Sequence, residues 1–324
     1  MTTSEVWLWP EGQENEHLRL WTPDHTQRFA KLAASGPGPV APVDLRRRMD
    51  GSGTQALETA LPAPLAEWLA TQLRQIPRLR LRLSADLPMP WQRFPYEWLT
   101  LDGRPLHDRL QVWRTVPPVV EPIAPVRTAR VALLNLWPED EAVQPLAPWA
   151  ISPAEVHRYD GRRWIEALLR TQDPRAFSAL CLIVHGSECA NALPFRLPDK
   201  TGWTLPTAQP LPPLVMLLAC GNCDGNLLDY AAILLKQGIV TVLAALGKLD
   251  ARDATVLLPG LLQGWRAGQS IGDALEATQA RMVWQGWGRL CLLGAGELRM
   301  SDVPRRADEP THRLIESVRP GDDT

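Results

Sequence analysis

The sequence predicts an α/β protein: a layered domain with a mostly parallel central sheet over residues 126–300, preceded by a smaller α+β subdomain over 1–125. Three observations carry this. Continuous apolar runs recur at Arg130–Leu136, Ala179–Val184, Leu214–Ala219 and Ile239–Ala245, and such runs mark strands buried on both faces. Segments of helical period alternate with them, as in layered α/β folds. Before residue 120 the pattern differs. Leu79-Arg80-Leu81-Arg82-Leu83 and Leu110–Val116 alternate apolar with polar residues, as strands with one solvated face do.

Residues 1–45 read as irregular, with short half-buried strands at Val6-Trp7-Leu8-Trp9 and His17–Trp21, and a break at Gly36-Pro37-Gly38-Pro39. Pro64–Gln75 places Leu65, Trp68, Leu69 and Leu73 on one helix face, with proline in the first turn. Pro88–Leu106 is aromatic and proline-rich and closes on an Asp102-Gly103 turn signal. Pro117–Pro125 reads as a linker.

After the strand at Arg130–Leu136, Ser152-Pro153-Ala154-Glu155 has the pattern of a capping box. It predicts a helix through Trp164, Ile165, Leu168 and Leu169. Strands ending at His185 and Cys220 follow, separated by a long loop. A helix over Leu227–Gln237 closes on Gly238, and a strand follows at Ile239–Ala245. Two helices are predicted at Asp253–Ala267, despite Pro259, and at Ile271–Met282. A short strand at Leu290–Leu293 comes last, and the charged tail from Ser301 reads as frayed. No internal repeat is evident.

The composition bounds the function. The 324 residues are 45% hydrophobic and 22% charged, with a formal net charge of −2. That balance gives no electrostatic case for nucleic acid or an anionic membrane. No apolar run is long enough for a spanning helix. Met1–His17 has neither a basic nor a long apolar region, so no secretory signal is expected, and the cytoplasm is the expected compartment. Five cysteines fit reduced thiols rather than a disulfide framework. The 14 tryptophans read as packing between layers.

His185 and Cys220 are the residues that carry chemistry. Each stands just beyond a buried apolar run, so a parallel sheet brings both to the edge where α/β proteins place ligands. A thiol and an imidazole are the minimum for cysteine nucleophilic catalysis, Cys220 as nucleophile and His185 as acid and base. A helix beginning near Asn226 would present its positive end toward the sulfur and help lower the thiol pKa. The backbone N–H groups of Gly186 and Cys220 are candidates for an oxyanion hole. Taken singly, a histidine after a strand is more often structural, and a lone cysteine is more often a small core residue. The pairing at matched strand ends is what raises catalysis above those readings.

Cys220-Gly221-Asn222-Cys223 also spells CxxC, a pattern of redox and zinc sites, for which Cys189 and His185 could supply further ligands. The motif follows a late strand rather than the first of a βαβ unit, so Cys223 is read as an incidental neighbour, and neither metal nor cofactor is expected. The loop from Gly186 to Pro213 is long enough to be functional. Leu193–Leu197 and Trp203-Thr204-Leu205 flank a turn at Asp199-Lys200-Thr201-Gly202, which predicts a β-hairpin beside the site.

Several motifs occur in the order found in one family. They are Arg130–Leu136, Val184-His185-Gly186, Leu217-Leu218-Ala219-Cys220, Gly238–Val242, Leu249–Asp253, Gly268–Leu275 and Trp287–Gly294. Upstream, Pro95-Tyr96-Glu97-Trp98-Leu99 followed by Gly103–Leu106 is similar to that family's Pro-Trp-Glu-Leu-Leu element. Residues 60–300 thus resemble the CHAT domain, a bacterial branch of the caspase-like (clan CD) cysteine peptidases. The chain departs from the family at Asn222-Cys223-Asp224, where relatives more often carry Thr or Ser and Gly, and in its proline-rich approach to Cys220.

The resemblance implies a caspase-like three-layer domain, a His/Cys dyad at His185 and Cys220, and regulated endopeptidase activity on a protein substrate. Relatives act in bacterial defence or programmed cell death, some beside gasdermins, and are often fused to TPR arrays. This chain has no repeats, so a sensor or activator would be a separate protein or the N-terminal subdomain, whose role would be support or regulation. Many clan members cleave after basic residues bound by an acidic group. The candidates here are Asp224, Asp250 and Asp253, whereas Asp229 and Asp273 read as caps or solvated positions. Two other function classes compete: a catalytically inactive caspase-like interaction module, and a CxxC zinc or redox protein.

Overall fold

A computed structural model describes residues 4–11, 17–22, 25–30, 37, 60–101, 104–106, 109–116, 130–136, 156–163, 165–166, 177–186, 193–205, 211–219, 226–283 and 288–300. The chain opens with an antiparallel meander of β1 (Ser4–Glu11), β2 (His17–Thr22) and β3 (His25–Ala30). Alternation predicts the first two; β3 lies in the stretch read as irregular. Helix α1 (Ala63–Gln75) buries Leu65, Leu69 and Leu73, the predicted face. Then come β4 (Leu79–Ser84), a one-turn helix α2 (Met89–Arg93), a 3-10 turn at Tyr96–Trp98, a small ladder of β5 (Thr100–Leu101) and β6 (Arg104–Pro105), and β7 (Leu110–Val116). The Asp102-Gly103 turn signal and the Pro117–Pro125 linker lie outside the described residues.

The second half contains β8 (Val131–Asn135), β9 (Val156–Asp160), β10 (Ala179–Ile183), β11 (His185–Gly186), β12 (Phe195–Arg196), β13 (Gly202–Trp203) and β14 (Leu214–Leu218). Helix α3 (Asn226–Lys236), β15 (Thr241–Leu246), α4 (Ala251–Arg266), α5 (Ile271–Gln279) and β16 (Arg289–Gly294) complete it. Gly238 ends α3 as predicted, in the left-handed region at φ +95°, where only glycine is unstrained. Helix α4 runs through Pro259, also as predicted.

Among the described residues eleven strands form one sheet in the order β3-β2-β1-β4-β7-β16-β15-β14-β10-β8-β9. The protein is therefore α/β with a large, mostly parallel central sheet. Within this sheet, among the described residues, β1–β2, β2–β3 and β15–β16 pair antiparallel and the other neighbours pair in parallel. The segments before residue 117 and after residue 130 share this sheet, joined where Trp113 pairs with Leu292 and Arg114 with Leu293. The buried apolar residues form two clusters, one reaching from Val6 to Val112 and the other from Trp113 to Leu298, so that Trp113 and Val116 of the first segment pack with the second. No helix among the described residues is long and apolar enough to cross a membrane.

Two expectations are corrected. The capping pattern at Ser152–Glu155, itself outside the described residues, predicts a helix across 156–160, but those residues form β9. It pairs in parallel with β8 along all five positions. Val156 and Tyr159 suit a strand, and the ladder on β8 overrides a local start signal. Helical backbone occurs at 162–163 and 165–166, with Ile165 buried.

The second correction concerns β4, which has no solvated face. All six residues are buried, because Arg80 and Arg82 lie under a layer of acids and aromatics. Arg80 donates to both oxygens of Glu276 at 2.7 and 2.9 Å, to Glu5 at 2.8 Å and to Asp273 at 2.7 Å. Its guanidinium stacks 4.1 Å from the Trp113 ring. Arg82 pairs with Glu5 at 2.9 Å and with Glu297, and lies 4.5 Å from Trp113. Gly272 and Gly296 let the backbone close over Trp113; a Cβ on either would collide with its ring.

Candidate active site

Strands β8, β9, β10, β14 and β15 run in parallel, so their carboxyl ends share one edge. Strands β10 and β14 are aliphatic and buried at every residue. Where the first leaves the core, Val184 donates its N–H to the Leu218 carbonyl at 3.3 Å. His185, the next residue, is half-buried. It sits at the carboxyl edge because it is the first polar residue after an unbroken apolar run.

The predicted hairpin is present, and His185 belongs to it. Strands β11, β12 and β13 form a second small sheet, in which His185 lies opposite Arg196 and Gly186 opposite Phe195. Arg196 is exposed. At the turn the Asp199 carboxylate accepts from the Thr201 N–H at 2.9 Å and hydroxyl at 2.6 Å. Those two bonds hold its pKa below the ordinary carboxylate value. Lys200 takes the left-handed conformation there, at φ +66°.

The hairpin's other side joins the core. Phe195, Leu197, Trp203 and Leu205 are all buried. The Phe195 ring meets Tyr230 of α3 edge-on, with centroids 5.3 Å apart at 89°. The Tyr230 oxygen accepts from the Thr204 hydroxyl at 2.9 Å and the Leu205 N–H at 3.0 Å. Burial raises the Tyr230 pKa, and these two bonds only partly oppose that. On the neighbouring residue, Asp229 forms a two-pronged ion pair with Arg93 of α2, one arm at 2.9 Å. Asp229 and Asp273 stand in the first turns of α3 and α5 and are part-exposed, as expected of solvated helix-start positions, and each also pairs with an arginine, Arg93 and Arg80.

Cys220 lies outside the described residues, as do Cys189, Cys223 and Asp224. What is described is the frame on either side: β14 through Ala219, and α3 from Asn226. Each β10 residue pairs with the β14 residue 35 positions later, from Ala179↔Leu214 to Ile183↔Leu218. His185 and Cys220 have the same separation in sequence. Two of the candidate pocket acids have other partners or surroundings. Asp250 is the N-cap of α4 and accepts from the Arg252 N–H at 2.8 Å. Asp253, in the first turn of α4, is only 2% exposed.

Two described cysteines are free and buried. Burial pushes the Cys181 thiol far up and the Cys291 thiol to about 12, so neither is a nucleophile. Among the described residues no group of three or more His, Cys, Asp or Glu could hold a metal ion. No protein-family model and no curated protein matches the chain.

The sequence signals found His185, Gly186 and the hairpin, and missed Arg196, Tyr230 and Arg93. Only the hairpin's pairing with β11 reveals Arg196. Tyr230 reads as one more apolar position of an amphipathic helix, and nothing local announces what its hydroxyl meets.

Proposed function

We propose that the chain is a regulated cysteine endopeptidase with a caspase-like three-layer domain, acting on a protein substrate through His185 and Cys220. One observation carries the reading. The 35-residue register between β10 and β14 equals the separation of the two residues, as a dyad at adjacent parallel strand ends requires. The hairpin on His185–Gly186 adds a wall beside that edge, where a substrate segment would lie.

In the proposed mechanism the Cys220 thiolate attacks the scissile carbonyl carbon. The oxyanion forms against the N–H groups of Gly186 and Cys220. His185, protonated, gives its proton to the leaving amine as the C–N bond breaks and the thioester forms. Water then attacks the thioester carbon while His185 takes its proton; the C–S bond breaks, the carboxylic acid leaves, and the Cys220 thiolate and protonated His185 are restored. An activator protein or the N-terminal segment would control this step, in the cytoplasm, with bacterial defence or cell death as the setting and a gasdermin as one example of a substrate.

The test is cleavage of a protein or peptide library by the full chain and by Cys220→Ala and His185→Ala. Each variant is expected to fold and to lose on the order of 10⁴-fold or more in kcat/KM. Cleavage retained by either would contradict the mechanism.

A further inference from the structure

We infer that Tyr230 is a positioning residue for the dyad: it clasps the hairpin that holds His185 to the helix that follows Cys220. The inference rests on the peptidase reading above and adds to it the group that fixes the hairpin bearing His185 against α3.

Strand β11 is two residues long, and so are β12 and β13. Strands this short do not hold a geometry by their own ladders. Something outside them must fix the hairpin, and Tyr230 touches it at two separate points. Its ring packs edge-on against Phe195, the residue paired with Gly186. Its hydroxyl takes the Leu205 N–H and the Thr204 hydroxyl, immediately beyond β13. One side chain therefore spans the hairpin from the strand beside His185 to its far end.

Tyr230 stands one turn into α3, whose first residue, Asn226, comes six positions after Cys220. The same turn is also held by the ion pair of Arg93 with Asp229. A shift of α3 would have to break the ion pair or drag the hairpin with it. The hairpin that carries His185 and the helix after Cys220 are thus coupled through a side chain that is itself 7% exposed.

Tyr230→Phe keeps the ring and removes the acceptor, leaving the buried Leu205 N–H without its partner. The probe is iodoacetamide, with site-resolved mass spectrometry of Cys220 in the full chain across pH. In the parent protein Cys220 is expected to react below the pH range of a free thiol, and His185→Ala is expected to abolish that advantage. Tyr230→Phe is expected to slow alkylation at neutral pH by about tenfold and to move its pH midpoint up toward that of free cysteine.

Thr241→Val serves as a stability control. It deletes a buried hydroxyl bond to the Ala295 carbonyl, at 2.5 Å, at the opposite sheet edge, and it should leave the midpoint in place. A Tyr230→Phe midpoint equal to the parent's, with His185→Ala still shifting it, overturns the clasp and leaves the dyad standing. No effect of His185→Ala in the parent contradicts both. If Tyr230→Phe does not fold, Thr204→Val removes one of the two bonds; a smaller upward shift supports the clasp and an unmoved midpoint overturns it.

Discussion

Strands β4 and β14 belong to one sheet and are buried at every residue, yet they reach that state by opposite chemistry. Strand β14 is Leu-Val-Met-Leu-Leu, apolar on both faces. Strand β4 is Leu-Arg-Leu-Arg-Leu-Ser, and one face is guanidinium. Its arginines are buried because Glu5, Asp273, Glu276 and Glu297 neutralise them and Trp7 and Trp113 flatten against them. The same device recurs one strand away. Arg114 of β7 has 0% exposure and bonds both oxygens of Glu97, at 2.6 and 2.7 Å. Alternation in a sequence reports which residues differ, and water is only one way of satisfying the polar set.

The difference predicts unlike responses to mutation. Arg114→Met leaves Glu97 buried without its cation, and such a break costs about 3–5 kcal/mol. Adding Glu97→Leu should return most of that loss, because a well-packed apolar pair often replaces a buried ion pair at little cost. On the aliphatic side Leu217→Ala should cost roughly 2–5 kcal/mol, as transfer and cavity terms together, and no second substitution at a charged residue should rescue it. Urea denaturation of the four proteins checks both. Equal, unrescuable losses in the two strands would erase the distinction.

A smaller effect is set by pH. Burial opposes ionisation of Asp273, but bonds from Ser270 and Arg80 outweigh it and hold the carboxyl below its ordinary pKa. The native chain therefore keeps this charge while the unfolded chain takes up a proton. The stability it contributes is present above the ordinary carboxylate range and is lost as pH falls through and below it. Asp273→Asn should flatten the acid side of the stability curve below about pH 5. An acid limb unchanged from the parent would mean the ion pair adds nothing there.

The same contrast explains what could be read beforehand. Strands β8, β10, β14 and β15 were legible because their apolar runs admit few other readings, and with them the carboxyl edge that carries His185. The helices α1, α3 and α4 were legible from periodicity, proline and glycine. The arginine layer was not, since Arg80 meets Glu276 across 196 positions of sequence and no local pattern names that partner. Strand β9 was misread for the related reason that its ladder with β8 is long-range, whereas the capping box beside it is local. For the candidate pocket acids, residue type alone did not show that Asp250 caps α4 or that Asp253 is buried. Tyr230 and Arg196 depend on the hairpin's docking and could not be found from spacing.

In the proposed dyad His185 activates the thiol of Cys220 across adjacent strand ends. The most direct test is the pH dependence of Cys220 alkylation by iodoacetamide, measured in the parent chain and in His185→Ala, with Cys181 and Cys291 as buried internal controls. Cys220 is expected to react fast and at low pH, to lose that advantage in His185→Ala, and both controls are expected to stay silent in the folded protein. Identical profiles for Cys220 in the two proteins would contradict the dyad.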